Sequence, residues 1–331
     1  MSFQNIAIIG AGSWGTALAF PLLANGLPVT IWGHDAAHIA RVAAERENAA
    51  YLPGVALPDA LRFTHEMDDL RAADLVLLVT PSKAIREVAS RLSTVGLGEG
   101  TALLSCTKGV ECGSGLRMSE ILAECFPRNP VGVLSGPSHA EEVARRMPTA
   151  LVLGCADAAL AKRLQQAFST PFFRAYTSDD VAGIELGGAL KNIFALAAGV
   201  SDGLGLGDNS KAALVTRALS ELTRLGTALG GRRETFQGLS GIGDLMVTCF
   251  SQHSRNRAVG ERLGRGERLA DIVASMNMVA EGVPTTYSAH EVAQRRGIDA
   301  PIITQMRALL DGTISPRAAM ANLMGREAGA E

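Results

Sequence analysis

Lys191 is the lone charge in an apolar stretch, Gly187-Gly188-Ala189-Leu190-Lys191-Asn192-Ile193-Phe194-Ala195-Leu196-Ala197-Ala198-Gly199. A segment apolar nearly all round reads as a buried helix. Lysine is almost never fully buried without a partner. Burial works against its charge, which suits it to proton transfer; the bland alternative is a lysine whose head snorkels to the surface. Gly187 and Gly188 cost helix stability, so something packs closely against them. Asp244, in Gly241-Ile242-Gly243-Asp244, can accept a bond from a substrate hydroxyl, hold Lys191, or cap a glycine-rich helix start. In Ser254-Arg255-Asn256-Arg257 a hydroxyl and an amide flank two guanidiniums, a compact oxyanion clamp. The planar fork of arginine binds two phosphate oxygens at once; a solvated basic turn is the alternative.

Two strand-end turns add to this set. Lys108, in Ser105-Cys106-Thr107-Lys108-Gly109, follows an apolar run and falls at a sheet's carboxyl edge, either as a ligand contact or as a surface lysine. Ser135-Gly136-Pro137-Ser138-His139-Ala140-Glu141-Glu142 opens a helix, with Ser138 as N-cap and Glu141 completing a capping box. The free amides there and the Ser138 hydroxyl can also meet a ligand, whereas His139 reads as a solvated or hydrogen-bonded side chain.

The N-terminal run Ile6-Ala7-Ile8-Ile9-Gly10-Ala11-Gly12-Ser13-Trp14-Gly15 is a strand leading into G-x-G-x-x-G and then a helix. Gly10 allows the tight turn, Gly12 a close approach of backbone to pyrophosphate, and Gly15 helix–strand packing. The helix N-terminus then offers free N–H groups to the anion. A carboxylate about 20 residues further on usually binds the ribose 2′-OH of NAD. Here Trp32-Gly33-His34-Asp35 puts Gly33 at that tip. His34 can bind a 2′-phosphate, helped by Arg41 or Arg46, or stand as a solvated loop residue. The expectation is NADP(H), with NAD(H) tolerated and no metal.

Strand signals at residues 5–9, 28–32, 61–64, 74–80, 102–107, 131–134, 149–154 and 171–174 alternate with helical ones at 14–25, 36–46 and 157–168. Continuous apolar runs such as 74–80 suit strands buried on both faces. The rhythm predicts an α/β fold, an N-terminal doubly wound (Rossmann-type) parallel sheet over residues 1–180. Ligands are expected outside the carboxyl ends of its strands. From 181 to 331 the strand signals nearly vanish. Helices are predicted over 181–200, 210–228, 269–276, 286–296 and 301–311, an all-α C-terminal domain whose first helix is capped from the polar cluster 178–180.

The net charge of −2 argues against nucleic acid or an anionic membrane surface as partner. Five scattered cysteines without C-x-x-C spacing read as reduced thiols, neither disulfides nor a zinc site. A strand starting by residue 5 leaves no room for a signal peptide, and no apolar run approaches a membrane span. A soluble cytoplasmic protein is expected.

Taken together, these segments resemble the bacterial NAD(P)-dependent glycerol-3-phosphate dehydrogenase family. The matching elements are G-A-G-S-W-G-T-A at 10–17, N-x-x-Y-L-P-G at 48–54, T-K-G at 107–109, S-G-P-S at 135–138, G-G-A-L-K-N at 187–192, G-x-G-D-L at 241–245, S-R-N-R at 254–257 and V-x-E-G at 279–282. The resemblance implies reversible reduction of dihydroxyacetone phosphate to sn-glycerol 3-phosphate for phospholipid synthesis. It implies Lys191 as proton donor and acceptor. Lys108, Gly136, Ser138, Asp244, Ser254, Arg255 and Asn256 are implied as substrate contacts. Beside the glycines, Ser13, Trp14, His34, Lys108, Ala140, Arg255, Val279 and Glu281 are implied as cofactor contacts, and a homodimer as the assembly. The competing readings are a dehydrogenase of the same architecture acting on a 3-hydroxy acid or sugar acid, and a nucleotide-binding sensor without turnover.

Overall fold

The structure, a computed structural model, describes residues 2–276 and 279–327. The chain divides into two compact units, Met1–Lys108 with Leu116–Glu185, and Gly109–Gly115 with Leu186–Glu331. The first unit contains β1 (Ile6–Ile9), α1 (Ser13–Ala24), β2 (Val29–Trp32), α2 (Ala36–Glu45), β3 (Arg62–Thr64), β4 (Leu75–Leu78), α3 (Ile85–Ser93) and β5 (Ala102–Ser105). It continues with α4 (Met118–Cys125), β6 (Val131–Ser135), α5 (Ala140–Ala144), β7 (Thr149–Gly154), α6 (Ala158–Phe168) and β8 (Phe173–Ser178).

These strands form one sheet in the order β3-β2-β1-β4-β5-β6-β7-β8. Side chains alternate across it, so Ile6 and Ile8 enter one core layer, which also holds Leu18, Leu22, Val143 and Leu164. Ala7 and Ile9 enter the other, with Ile85, Leu92, Ile121 and Leu122. Burial on both faces is why β1 and β4 are apolar without a break. The order reverses at β1, which lies between β2 and β4; in open α/β sheets that switch point is where a ligand crevice forms.

The expected doubly wound parallel pairing holds from β3 through β6, and β7 is the departure, pairing antiparallel with β6. The five-residue α5 is about a turn and a half long. It is too short to carry the chain back along the sheet, so β7 returns alongside β6.

After β8 the chain is helical, with α7 (Val181–Gly203), α8 (Gly207–Ala228), α9 (Arg233–Phe236), a π-turn at Leu239–Gly243, α10 (Asp244–Phe250) and α11 (Arg255–Gly264). Then come α12 (Leu269–Ala274), α13 (Gly282–Arg295), α14 (Pro301–Leu310) and α15 (Pro316–Met324). The Asp180 carboxylate accepts from the Gly183 amide, so the polar cluster before α7 does cap it. α7 is long and apolar enough to cross a membrane by length and composition alone, but it is interrupted by charged residues and 89% of its apolar window is buried within the protein.

α7 and α11 touch backbone to backbone. A Cβ on Gly260 would strike the Leu196 carbonyl, and one on Gly264 the Val200 carbonyl. One on Gly199 would strike the Arg257 carbonyl, and one on Gly203 that of Glu261. Two G-x-x-x-G pairs thus face each other, the pattern that lets helices approach most closely.

Within the helical unit, Glu221 on α8 caps α14 from a distance in sequence. Its carboxylate accepts from the amides of Ile302 and Ile303, both at 2.9 Å. Burial pushes its pKa up from 4.5 to about 7, against the pull of those two amides and of Arg224. A folded-state pKa above the unfolded one means the group favours folding below pH 4.5 and loses that contribution as pH rises through 7. The wild type should therefore lose about 3 kcal/mol relative to Glu221→Gln between pH 4.5 and 8. Parallel stability curves for the two proteins in denaturant titrations would rule out this titration.

Candidate active site

In the sheet unit the glycines at the mouth of α1 serve three purposes. Gly10 has φ +124°, and a Cβ there would lie 2.8 Å from the Val79 carbonyl oxygen. Gly15 is pressed against the Gly10 carbonyl. A Cβ on Gly12 would meet nothing within 4 Å, so protein packing does not require a glycine there. Gly12 is also the N-cap of α1, and no side chain caps that helix. The open space and uncapped amides fit a dinucleotide pyrophosphate. Ser13 is buried beside them, and the Trp14 indole nitrogen is buried with no hydrogen-bond partner among the described residues.

Asn48, from the N-x-x-Y-L-P-G segment, braces this turn. It is fully buried and donates to the Ala11 carbonyl and the Thr16 hydroxyl, both at 2.9 Å. At the end of β2, Gly33 is packed closely against Ile39, and a Cβ there would lie 2.6 Å from Ile39 Cδ1. Asp35 caps α2, accepting from the His38 amide, which holds its carboxyl below the usual range. His34 is exposed at the tip. Arg46, expected as its helper, is turned to the carbonyls of Leu61 and Pro58 and lies over the Phe63 ring.

The two strand-end turns meet. Lys108 Nζ donates to the Gly136 carbonyl at 3.1 Å, and the Ser138 hydroxyl donates to the same oxygen at 3.0 Å. Gly136 has φ +138°, and a Cβ there would lie 2.8 Å from that of Leu151, so only glycine fits. The expected capping box is absent. α5 starts at Ala140 with His139 as N-cap and no side-chain cap, leaving Ser138 one residue outside. Ala140 itself packs into the core beside α1.

In the helical unit Lys191 does not snorkel. It is 6% exposed and donates to the Asp244 carboxylate and, at 2.6 Å, to the Thr248 hydroxyl. Thr248 in turn donates to the Asp244 carbonyl at 2.6 Å. The close packing expected at Gly187 is the Ser240 carbonyl in the π-turn before α10. Cys249 lies nearby; burial pushes its thiol up to about 12, with Lys191 and Lys211 pulling down, so it is inert at neutral pH.

The side chains of the S-R-N-R segment each have partners within the protein. Ser254 is the N-cap of α11, its hydroxyl accepting from the Arg257 amide. Arg255 donates to the Val279 carbonyl at 3.1 Å, beside Glu281 at the start of α13. Asn256 donates to Asn192 Oδ1 at 2.9 Å and accepts from the Gly282 amide at 2.8 Å. Arg257 departs from the two-arginine expectation, since its guanidinium is bound to Asp202 at 2.6 Å. Thr248 and Asn192 were missed by reading the sequence. Thr248 had a signal, since four residues after Asp244 on a helix puts both side chains on one face.

Sequence comparison completes this picture. The family models described as NAD-dependent glycerol-3-phosphate dehydrogenase N-terminus and C-terminus match residues 5–161 and 180–321. A glycerol-3-phosphate dehydrogenase [NAD(P)+] of Syntrophotalea carbinolica is 47% identical over 332 residues, 99% of each chain. The enzyme of that name from Geobacter sulfurreducens is 46% identical, again over 99% of each. The crystal structure of a glycerol-3-phosphate dehydrogenase from Coxiella burnetii superposes with a TM-score of 0.94 at 38% identity, covering 98% of this chain and 99% of that one.

The Lys191–Asp244 pair makes a stability prediction. Asp244→Asn strands a buried ammonium and should cost about 3–5 kcal/mol, and adding Lys191→Met should recover much of the loss. Equal denaturant midpoints for the single and double variants would contradict the pairing.

Proposed function

Because the chain belongs to the NAD-dependent glycerol-3-phosphate dehydrogenase family, we propose that it is a glycerol-3-phosphate dehydrogenase working with NAD(P), interconverting dihydroxyacetone phosphate and sn-glycerol 3-phosphate. The observation that carries the mechanism is the buried cluster of Lys191, Asp244 and Thr248. The cofactor, when bound, supplies or takes the hydride at C2. Negative charge then builds on the C2 oxygen as the ketone is reduced. Lys191 stabilises that charge and gives the oxygen a proton; in oxidation it takes the proton back. Asp244 and Thr248 hold the ammonium in place. Arg255 and Asn256 hold the unreactive phosphate, which orients C2. Lys108, Gly136, Ser138 and Ser254 complete the proposed substrate contacts.

Gly10, Gly12, Ser13, Trp14 and Gly15 are proposed to hold the cofactor, with Ala140, Arg255, Val279 and Glu281 as further contacts. His34 is proposed to favour NADP(H) over NAD(H), supported by its exposure at the end of β2. The domain limits 1–180 and 181–331 belong to the same reading. So do a homodimer and a cytoplasmic setting, both supported by the family resemblance. Sedimentation tests the first and cell fractionation the second.

Lys191→Ala should lose about a thousandfold or more in kcat, the scale of general acid–base catalysis with charge stabilisation, while still binding NADPH. Near-normal decay of NADPH absorbance on adding dihydroxyacetone phosphate would remove Lys191 from the mechanism. His34→Ala should raise KM for NADPH and leave KM for NADH in place. An unchanged ratio of the two would take His34 out of cofactor choice.

A further inference from the structure

α7 and α11 run side by side in the same direction. Asn192 meets Asn256, Leu196 meets Gly260, and Val200 meets Gly264. The glycines bring the backbones together, and polar ties at either end of this contact add to what holds the register. Asn192–Asn256 is one such tie. The other is Asp202, about three turns beyond Lys191 on α7.

One oxygen of Asp202, Oδ2, accepts from Arg257 Nε at 2.6 Å and from Lys211 Nζ at 2.9 Å. Lys211 is buried on α8 and lies 4.8 Å from the centre of the Phe250 ring on α10. Asp202 therefore joins α7 and α8 to the first turn of α11. That turn carries Arg255 and Asn256, and α7 carries Lys191. We infer that Asp202 is a positioning residue: acting through Arg257, it fixes the spacing between the proposed phosphate grip and the proton-transfer lysine. The inference rests on the functional reading above and adds to it a residue that touches neither substrate nor cofactor. The rival role is charge balance alone, a carboxylate that merely neutralises Lys211.

Steady-state kinetics of Asp202→Asn separate the two. KM for dihydroxyacetone phosphate should rise about tenfold or more, the scale of one charge-assisted hydrogen bond. KM for NADPH should not move, and neither should kcat/KM for dihydroxyacetone, which lacks the phosphate. Asp202→Leu/Lys211→Met restores charge balance and leaves no acceptor for Arg257, so its KM should stay raised. Recovery of wild-type KM in that double variant would establish charge balance and overturn the inference. So would an equal loss toward dihydroxyacetone, which marks general damage. Should Asp202→Asn not fold, Arg257→Lys keeps the charge, loses the Nε donor and is expected to raise the same KM; an unchanged KM there overturns the inference. A wild type inactive on dihydroxyacetone phosphate sinks the functional reading and this inference together. An active wild type with an unaltered KM in Asp202→Asn sinks this inference alone.

Discussion

A charged ammonium taken out of water must be given a carboxylate, and much of the helical unit follows from supplying Lys191 with Asp244. Lys191 sits mid-way along a helix whose residues 183–201 are all buried, so the partner has to come from another segment. α10 brings it. To come close enough, the π-turn before α10 lays the Ser240 carbonyl where Gly187 has no side chain, and Gly241 fits against the Phe236 backbone for the same reason. The glycines that weaken helix propensity in both segments are thus conditions for the ion pair. Thr248, one turn into α10, then satisfies a second donor of the same ammonium.

The sheet unit solves a different problem, since an anionic ligand needs amides left open and held still. Gly10 and Gly15 are demanded by their own backbone contacts, whereas Gly12 is not. Asn48 holds the turn from behind through two hydrogen bonds made by one buried amide group. Gly136 repeats the device at the end of β6, where a strained backbone presents one carbonyl to both Lys108 and Ser138. In each case glycine sets the backbone path and a polar side chain fixes it.

What could be read from the sequence was local. Strands buried on both faces announced themselves, because a short unbroken apolar run bounded by turn residues suits little besides the middle of a covered sheet. The oddity of Lys191 was equally visible. The crossover helices α3 and α4 went unread, although α3 buries Ile85, Val88, Ala89 and Leu92 at helical spacing. The capping box at Ser138 failed because the chain after Pro137 enters α5 later than the S-x-x-E spacing suggests, and the hydroxyl found a nearer carbonyl. The antiparallel course of β7 leaves no mark in its residues, which look like any buried strand. Partners far apart in sequence were the least legible. Holding Lys191 was one of several roles open to Asp244, and the diversion of Arg257 to Asp202 depends on how α7 meets α11.

Two ion clusters along α7 show how depth divides labour. Lys191 and Asp244 are 7% and 1% exposed at their side chains, whereas Asp202 is 20% and Arg257 18% exposed. A pair as dry as the first gives little net stability against well-packed apolar residues of the same size. In the proposed mechanism the same dryness strengthens its action on a developing oxyanion. The second cluster keeps some contact with water, costs less to bury, and can spend its geometry on register. α7 therefore carries the proposed reactive charge where solvent is excluded and the proposed positioning charge nearer its end.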